Sequence, residues 1–195
     1  LKRLEYRGYD SVGICARTDR LQVVKTVGRT QNLTYVLPNF VHPCVCMGHT
    51  RWATHGEVSD RNAHPFVSYG GNFAICHNGV LDNWQALKSV LVADGVQFTS
   101  DTDSEVIAHM LERCYDGDVL HTVTEVAKRL TGSFAVAILT AYDDNIYFVK
   151  RKSPLVIGLA DGFACVCSDI RCIDGEVTQV ANVPDGAVGF VCGSG

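Results

Sequence analysis

The sequence predicts an α+β fold, with two packed β-sheets and helices outside them, in one domain that covers residues 1–195. The first observation is a change of hydrophobic period along the chain, from strand-like to helix-like and back, with little strict alternation of single strands and helices. The second is that several later strands are apolar almost throughout, as expected for strands covered on both faces. At 195 residues and 47% hydrophobic content, the chain can bury one sizeable core.

The first elements are a helix end and four strands. The opening segment LKRLEYRG, residues 1–8, is typical of the last turns of a helix. Leu1 and Leu4 share a helix face, and Gly8 is placed to end the helix in a left-handed conformation. Apolar runs separated by polar or glycine-containing turns then predict strands at residues 11–16, 21–26, 45–51 and 72–77.

Helical spacing replaces the strand pattern in the middle of the chain. Apolar residues three and four apart predict helices at residues 82–93, 102–115 and 119–130. Thr102 followed by Glu105 has the pattern of a capping box at the start of the middle helix. Strand patterns then return, at residues 133–141, 145–151, 154–160, 163–169, 177–182 and 186–192.

The overall charge argues against polyanionic partners. The formal net charge is −4, and no run of Lys or Arg is longer than residues 150–152, so neither a nucleic acid nor a membrane surface is an expected partner. No apolar stretch approaches the length of a membrane span, and residues 1–8 lack the apolar run of a secretion signal. We expect a cytoplasmic protein that binds small molecules or other proteins.

The nine cysteines are expected to be free thiols, because their number is odd, the chain is too large to need disulfides and no C-x-x-C pair occurs. Two C-x-C pairs, Cys44 with Cys46 and Cys165 with Cys167, fall in strand-like runs. Each pair therefore shares one sheet face, and we interpret these residues as small buried hydrophobic side chains.

Four of the seven histidines lie between residues 49 and 77, at His49, His55, His64 and His77. Their spacing does not match that of a zinc site, because HTRWATHG lacks the H-x-x-x-H pattern, and we predict no metal. A catalytic dyad of Cys76 and His77 is also excluded, since neighbouring strand residues point to opposite faces.

Asn78 and Gly79 follow the predicted strand 72–77 and allow two interpretations. The Asn-Gly pair is typical of a tight turn, because both residues tolerate positive φ. Alternatively, an Asn side-chain amide and a glycine backbone N–H at a strand end are the two donors that an oxyanion hole needs in acyl transfer. The local sequence does not decide between these two interpretations.

Arg51 and Asp103 also have a structural and a functional interpretation. Arg51 is either an ion-pair partner at the surface or, beside Trp52 at the end of an apolar strand, a planar fork that binds a carboxylate. Asp103 either stabilises the N-terminus of a helix or pairs with an ammonium group. Because the two charges together would hold both ends of an α-amino acid, we predict a ligand of that class.

These residues belong to sequence blocks that together resemble one family. The blocks are LEYRGYDS at 4–11, HTRWATHG at 49–56, NAHP at 62–65, HNG at 77–79, SDTDSEVIAH at 100–109 and KSPLVIG at 152–158. In this order they resemble the glutaminase domain of the glutamine:fructose-6-phosphate amidotransferase (glucosamine-6-phosphate synthase) family over nearly the whole chain. The glutaminase domain of amidophosphoribosyltransferase is similar in the HTR and HNG regions and is the alternative.

The resemblance implies an N-terminal nucleophile hydrolase fold, a four-layer αββα sandwich, with no metal or cofactor. In this family an N-terminal cysteine attacks the side-chain amide of glutamine, with its own α-amino group as the base. Ammonia leaves, and a thioester is then hydrolysed to glutamate. A free α-amino group suits this role because its ordinary pKa is about 7.7 to 8.0.

The resemblance also implies roles for individual positions. Arg51 would bind the α-carboxylate of glutamine and Asp103 its α-ammonium, while Asn78 and Gly79 would form the oxyanion hole. The other residues would cover the substrate, support the pocket or position the catalytic terminus: Thr54 and His55 in the covering loop, His64 and Trp52 in the wall, and Arg7 beside the terminus.

In that family the catalytic cysteine and first strand would precede Leu1, and a sugar-phosphate isomerase domain would follow Gly195. We therefore expect a glutaminase domain shortened at both ends and inactive by itself, within a parent protein that forms homo-oligomers. Its expected partners are L-glutamine or L-glutamate and the isomerase domain. Two other hypotheses remain: a catalytically inactive module that binds glutamine or glutamate, and a purely interacting domain that binds no amino acid.

Overall fold

The computed structural model describes residues 1–37, 45–53, 56–173 and 177–192. The strands are β1 (Ser11–Arg17), β2 (Leu21–Val27), β3 (Val45–Arg51), β4 (Phe66–Val67), β5 (Phe73–Leu81), β6 (Gly132–Thr140), β7 (Ile146–Arg151), β8 (Val156–Ala160), β9 (Phe163–Cys167), β10 (Gln179–Asn182) and β11 (Val188–Val191). The α-helices are α1 (Thr30–Leu33), α2 (Trp84–Ala93), α3 (Glu105–Cys114) and α4 (Val119–Arg129), and 3-10 helices span Lys2–Arg7 and Ile170–Cys172. Most predicted strands and helices are confirmed to within a few residues at their ends.

The described strands form one five-stranded sheet, in the order β11-β7-β6-β5-β4, and two three-stranded sheets, in the orders β2-β1-β3 and β10-β8-β9. Every pairing between neighbouring strands in these sheets is antiparallel. The strand β6 shows how the layers stack. Its residues Phe134 and Val136 pack on the helices, whereas Ala135 and Leu139 pack against the two smaller sheets. Both smaller sheets therefore lie on the same face of the five-stranded sheet.

The helices complete the sandwich. Apolar residues of α2, α3 and α4 pack against the other face of the five-stranded sheet in the largest buried cluster. The short helix α1 packs on β1 and β2. Among the helices that the structure describes, none has both the length and the apolar character that a bilayer crossing needs.

The opening segment differs from the expected end of an α-helix. Residues Lys2–Arg7 form a 3-10 helix, and Gly8 is extended, with a φ of −172°, rather than left-handed. A glycine is needed here for space instead, because a Cβ atom at Gly8 would lie 2.7 Å from the backbone oxygen of Thr50 in β3. The glycine thus allows close approach of two backbones.

The cysteine expectations hold in part. The cysteines that the structure describes are free thiols, and Cys44 lies outside the described residues. Cys46 is exposed and Cys165 and Cys167 are only partly buried, so the expected full burial of the C-x-C pairs is wrong. Both β3 and β9 are edge strands of their sheets, which leaves their side chains less covered than those of central strands.

The predicted capping box at Thr102 is also wrong. Helix α3 begins at Glu105, and its N-cap residue, Ser104, makes no capping bond through its side chain. The Glu105 carboxylate instead turns back to the preceding loop, where it accepts hydrogen bonds from the backbone N–H groups of Thr99 (2.9 Å) and Ser100 (2.7 Å) and from both hydroxyls. The carboxylate therefore fixes the loop that carries Thr102 and Asp103 into the helix.

The same contacts determine the ionisation of Glu105, which is 2% exposed. Burial alone would raise the pKa of Glu105, yet His109, whose Nε2 lies 3.4 Å from Oε1, and the hydrogen bonds from Thr99 and Ser100 lower it to about 2. The native state thus favours the ionised carboxylate. Its contribution to stability is present above pH 4.5 and is lost as the pH falls towards 2.

We predict that Glu105→Gln lowers the free energy of unfolding at pH 7 by about 3 kcal/mol, the energy equivalent of the pKa difference between the folded and unfolded states. An amide at this position offers one acceptor oxygen where the loop needs two. Urea unfolding followed by circular dichroism measures the effect. Glu125→Gln is the matched control, since Glu125 also lies in a helix but forms an exposed ion pair with Lys128. Equal stabilities of the two variants would contradict the prediction.

Candidate active site

The strands β3 and β5 and the loop before α3 converge on one cleft of about 560 Å³, a volume within the usual range for small-molecule sites. Thr54 and His55 lie outside the described residues. The structure brings together at this cleft the remaining residues that the sequence predicted: Arg7, Arg51, Trp52, His64, Asn78, Gly79 and Asp103.

Arg51 supplies a buried positive charge. It is the last residue of β3, opposite Ser11 of β1, and is only 5% exposed, so the interpretation as a surface ion-pair partner is wrong. Burial lowers the pKa of its guanidinium, and the nearby carboxylates of Asp10 and Asp103 oppose that shift. Asp10 is itself held in place, because its Oδ2 accepts the backbone N–H of Ala53 at 2.9 Å. Arg51 remains a cation at neutral pH.

Asp103 supplies the opposite charge. The buried carboxylate lies in the loop before α3, where its Oδ2 accepts the backbone N–H of Leu81 at 2.9 Å and its Oδ1 accepts the hydroxyl of Ser104 at 3.2 Å. The first bond ties the loop to the end of β5. The charge of Asp103 also acts on Arg51, so the cleft contains a fixed anion and a fixed cation within electrostatic range of each other.

Asn78 and Gly79 lie inside β5, which runs on to Leu81, so the tight turn at this pair is not formed. Gly79 has a φ of +124°, and a Cβ atom there would lie 1.9 Å from the backbone oxygen of Ser133 in β6. Only glycine fits both the conformation and the space. The Asn-Gly signal therefore reflects a positive φ within a strand rather than a turn.

The backbone of Gly79 faces the open edge of β5. The N–H of Leu81 points to Asp103 on that edge, whereas the N–H of the next residue, Asp82, points to Thr131 on the opposite side. Because backbone directions alternate along a strand, Gly79 shares the direction of Leu81. Strand β4 covers this edge only opposite Ala74 and Ile75, so the N–H of Gly79 faces the cleft region.

Three histidines surround the centre of the cleft, and one of them, His49, was not assigned a role from the sequence. Its Nε2 lies 2.9 Å from Oδ1 of Asn78, and its ring centroid lies 4.2 Å from that of His64. The sequence could have indicated a role for His49, because His49 and Arg51 lie two residues apart and therefore on the same face of β3. His77 turns to the other side of β5, where Nδ1 lies 2.8 Å from the hydroxyl of Ser104.

Burial keeps these three rings neutral. It lowers the pKa of His49 to about 4, with the Asn78 hydrogen bond opposing the shift, and the pKa of His77 to about 4, with Asp103 opposing. The pKa of His64 is likewise lowered by burial and further by its histidine neighbours. Across the part of the chain that the structure describes, no group of three or more potential ligand side chains is arranged to hold a metal ion.

Arg7 and Trp52 form the outer part of the cleft. The guanidinium of Arg7 donates a hydrogen bond to the hydroxyl of Ser168, which ties the first 3-10 helix to the residue after β9. Trp52 is 57% exposed, with its ring centroid 5.7 Å from that of Tyr9. Trp52 is therefore placed at the rim, where a large aromatic side chain faces solvent.

We predict that the free energy of unfolding falls between pH 7 and pH 5, by about 2 kcal/mol for each of His49 and His77 and further through His64. In the unfolded chain each one takes up a proton near pH 6.5. In the folded chain burial lowers the pKa of His49 and of His77 to about 4 and that of His64 well below its ordinary value, so acid favours the unfolded state. Urea titrations at both pH values measure the loss. His64→Gln is expected to reduce this pH dependence, because it removes one of the three groups. An unchanged dependence in His64→Gln would contradict the prediction.

Comparison with known proteins shows the family. A family model described as a glutamine amidotransferase domain matches residues 49–175. A relative named glutamine--fructose-6-phosphate aminotransferase [isomerizing], from Symbiobacterium thermophilum, is 44% identical over 189 residues, which are 95% of this chain and 31% of the relative. The protein of the same name from Aquifex aeolicus is 42% identical over 191 residues, covering 96% and 32% respectively. The chain thus spans about a third of the length of these relatives.

Solved structures show the same fold. Glutamine phosphoribosylpyrophosphate amidotransferase from B. subtilis, complexed with ADP and GMP, has a TM-score of 0.75 and 25% identity over 98% of this chain and 45% of its own. A glutamine aminotransferase class-II domain protein from Silicibacter pomeroyi, at 15% identity and a TM-score of 0.61, covers 95% of this chain and 92% of its own, and supports the fold alone. The predicted N-terminal nucleophile hydrolase fold is confirmed. Since the family model covers well over half of the sequence, this chain belongs to the glutamine amidotransferase domain family.

Proposed function

We propose that this chain is the glutamine-hydrolysing domain of a glutamine:fructose-6-phosphate aminotransferase. The ammonia that it releases from glutamine would be used to convert fructose 6-phosphate to glucosamine 6-phosphate, the first step of hexosamine biosynthesis. One observation carries the proposal: a buried guanidinium and a buried carboxylate, Arg51 and Asp103, line the same cleft as the amide of Asn78. The names of the relatives support the choice of fructose 6-phosphate as acceptor.

The two charges bind the ends of glutamine that do not react. Arg51 pairs with the α-carboxylate, because its planar fork suits the two oxygens, and Asp103 pairs with the α-ammonium. Each charge is already oriented before the ligand arrives, Asp103 by the N–H of Leu81. The side-chain amide of glutamine then extends towards β5.

Asn78 and Gly79 act on the reacting end. When a nucleophile attacks the side-chain carbonyl of glutamine, negative charge develops on the carbonyl oxygen. The Nδ2 group of Asn78 and the N–H of Gly79 donate hydrogen bonds to that oxygen, and donors fixed in place before the reaction are most effective in this role. His64 supports the wall beneath these groups, and the resemblance assigns to Thr54 and His55 the role of covering the substrate.

The nucleophile in this proposal is the N-terminal cysteine of the parent protein, positioned by Arg7 at the entrance. Its thiol adds to the carbonyl, the α-amino group passes the proton to the leaving nitrogen, and ammonia departs. Water then cleaves the thioester to release glutamate. Cys172 is the alternative candidate for the nucleophile within this chain. It lines the cleft, and a hydrogen bond with Cys167 lowers its pKa to about 7.

The parent protein is proposed to be a cytoplasmic homo-oligomer in which a sugar-phosphate isomerase domain receives the ammonia. The exposed ring of Trp52 at the cleft rim supports a contact with that domain, because a large exposed aromatic group is typical of an interface. The alternatives are the glutaminase domain of an amidophosphoribosyltransferase and an inactive module that binds glutamine or glutamate. Product assays with fructose 6-phosphate and with phosphoribosyl pyrophosphate as acceptors separate these possibilities.

We predict that Arg51→Ala and Asp103→Asn each weaken binding of L-glutamate to the full-length gene product by about 100-fold. Asp103→Asn keeps an acceptor for the Leu81 N–H, so the loss reflects the missing charge rather than misfolding. Isothermal titration calorimetry measures the affinity and thermal unfolding checks the fold. The matched controls are Arg113→Ala and Asp94→Asn, which break an exposed ion pair. Wild-type affinity in both cleft variants would reject the proposed pocket.

We predict that Asn78→Ala lowers kcat for glutamine hydrolysis by the full-length gene product by about 100-fold to 1,000-fold, while KM stays within about 3-fold. The reason is that its amide contacts the oxygen only after charge has developed. Steady-state release of glutamate measures both constants.

Cys172→Ser is expected to retain wild-type activity. Loss of all activity in Cys172→Ser would move the nucleophile into this chain and overturn the assignment.

A further inference from the structure

The contact between His49 and Asn78 joins two layers of the sandwich. His49 lies on β3 of a three-stranded sheet and Asn78 on β5 of the five-stranded sheet, and the 2.9 Å contact between Nε2 and Oδ1 crosses the space between them. Both residues are partly buried, and the contact between them is shielded from solvent on several sides. A hydrogen bond in such a setting strongly restricts both groups.

We propose that His49 is a positioning residue for the oxyanion hole: it donates from Nε2–H to Oδ1 of Asn78 and so turns the NH₂ end of the Asn78 amide towards the substrate. This inference rests on the proposed function, because it concerns how the same cleft treats the reacting carbonyl. It assigns a role to a side chain that makes no contact of its own with the reacting atoms.

The tautomer follows from the second ring nitrogen. Among the described residues, Nδ1 of His49 is buried without a hydrogen-bond partner. A proton on Nδ1 would therefore leave a buried N–H unpaired, and such groups are rarer in proteins than unpaired acceptors. With the proton on Nε2, the ring donates to Asn78 and leaves only a lone pair unpaired. The Asn78 amide must then present its oxygen to His49 and its nitrogen to the cleft.

The surroundings keep the ring neutral. The ring centroid of His64 lies 4.2 Å away in a tilted arrangement, His77 acts electrostatically from the opposite face of β5, and the cations Arg7 and Arg51 lie on the first 3-10 helix and on β3 itself. Each of these groups disfavours a second proton on His49, in addition to the effect of burial. The ring is therefore a fixed donor at neutral pH and not an acid or base in the reaction.

The opposite orientation of Asn78 would disable the oxyanion hole. If the amide were turned over, its oxygen would face the developing negative charge and repel it, while only Gly79 would donate. Because Asn and Gln amides have nearly equal shapes in the two orientations, packing alone does not choose between them. The Nε2–H group of His49 selects the orientation in which the Asn78 oxygen faces His49.

Kinetics of variants in the full-length gene product test the role. We expect His49→Leu to lower kcat for glutamine hydrolysis by about 30-fold to 100-fold, with KM changed less than about 3-fold. His49→Gln, whose amide can donate in the same direction, is expected to recover activity to within about 5-fold of wild type. His121→Gln, at an exposed histidine, is the control and keeps wild-type rates.

A double variant separates positioning from a general structural effect. If His49 acts through Asn78, His49→Leu combined with Asn78→Ala is no slower than Asn78→Ala alone. Losses that multiply, or a His49→Gln variant as slow as His49→Leu, would overturn the inference. Failure of the wild-type protein to hydrolyse glutamine would instead overturn the proposed function.

Nitrogen-15 NMR of this chain tests the geometry directly. We expect the Nε2–H tautomer of His49 at pH 7, and the Nδ1–H tautomer would contradict the inference.

Discussion

The site depends on the uninterrupted alternation of strand β5 from Phe73 to Leu81. One face of the strand packs on the helices and the other on the smaller sheets, so each successive side chain enters a different layer. Asn78 turns towards β3, and His77 turns towards α3. The backbone of the same strand ends by donating the N–H of Leu81 to Asp103. A shift of one residue in the pairing of β5 with β6 would exchange all of these directions at once.

Burial of charge is the second constraint on the cleft. Placing Arg51 and Asp103 out of water is unfavourable unless each group has compensating partners. The protein provides them locally, with Asp10 near Arg51 and the Leu81 N–H and Ser104 hydroxyl on Asp103. The three neutral histidines add polar atoms without adding charge. Arg51 and Asp103 thus place opposite charges in the cleft, which suits a ligand that is itself a zwitterion.

Much of the fold and of the candidate site could be predicted from the sequence, because hydrophobic periodicity and short motifs depend only on residues that are close together in the chain. The strand pattern gave β1 to β3 and β6 nearly to the residue. The end of β5 was missed since Asn78-Gly79 also signals a turn, and only the pairing with Ser133 and Phe134 decides that the strand continues. Glu105 was misread as a capping residue because its partners, Thr99 and Ser100, precede the motif. His49 went unassigned because its partner lies 29 residues away in another sheet.

In the proposed function, the charged groups and the neutral hydrogen-bond donors of the cleft have different effects on the reaction. The charged ends of an amino acid are the same before, during and after cleavage of its side chain, so in the proposed function Arg51 and Asp103 stabilise the ground state and the transition state alike and act on affinity. The carbonyl oxygen acquires charge only during the reaction, so the donors aimed at it act on rate. A full cation beside that oxygen would also bind the anionic product more tightly. Neutral donors avoid this, and a neutral His49 can orient one of them while adding no charge of its own to the cleft.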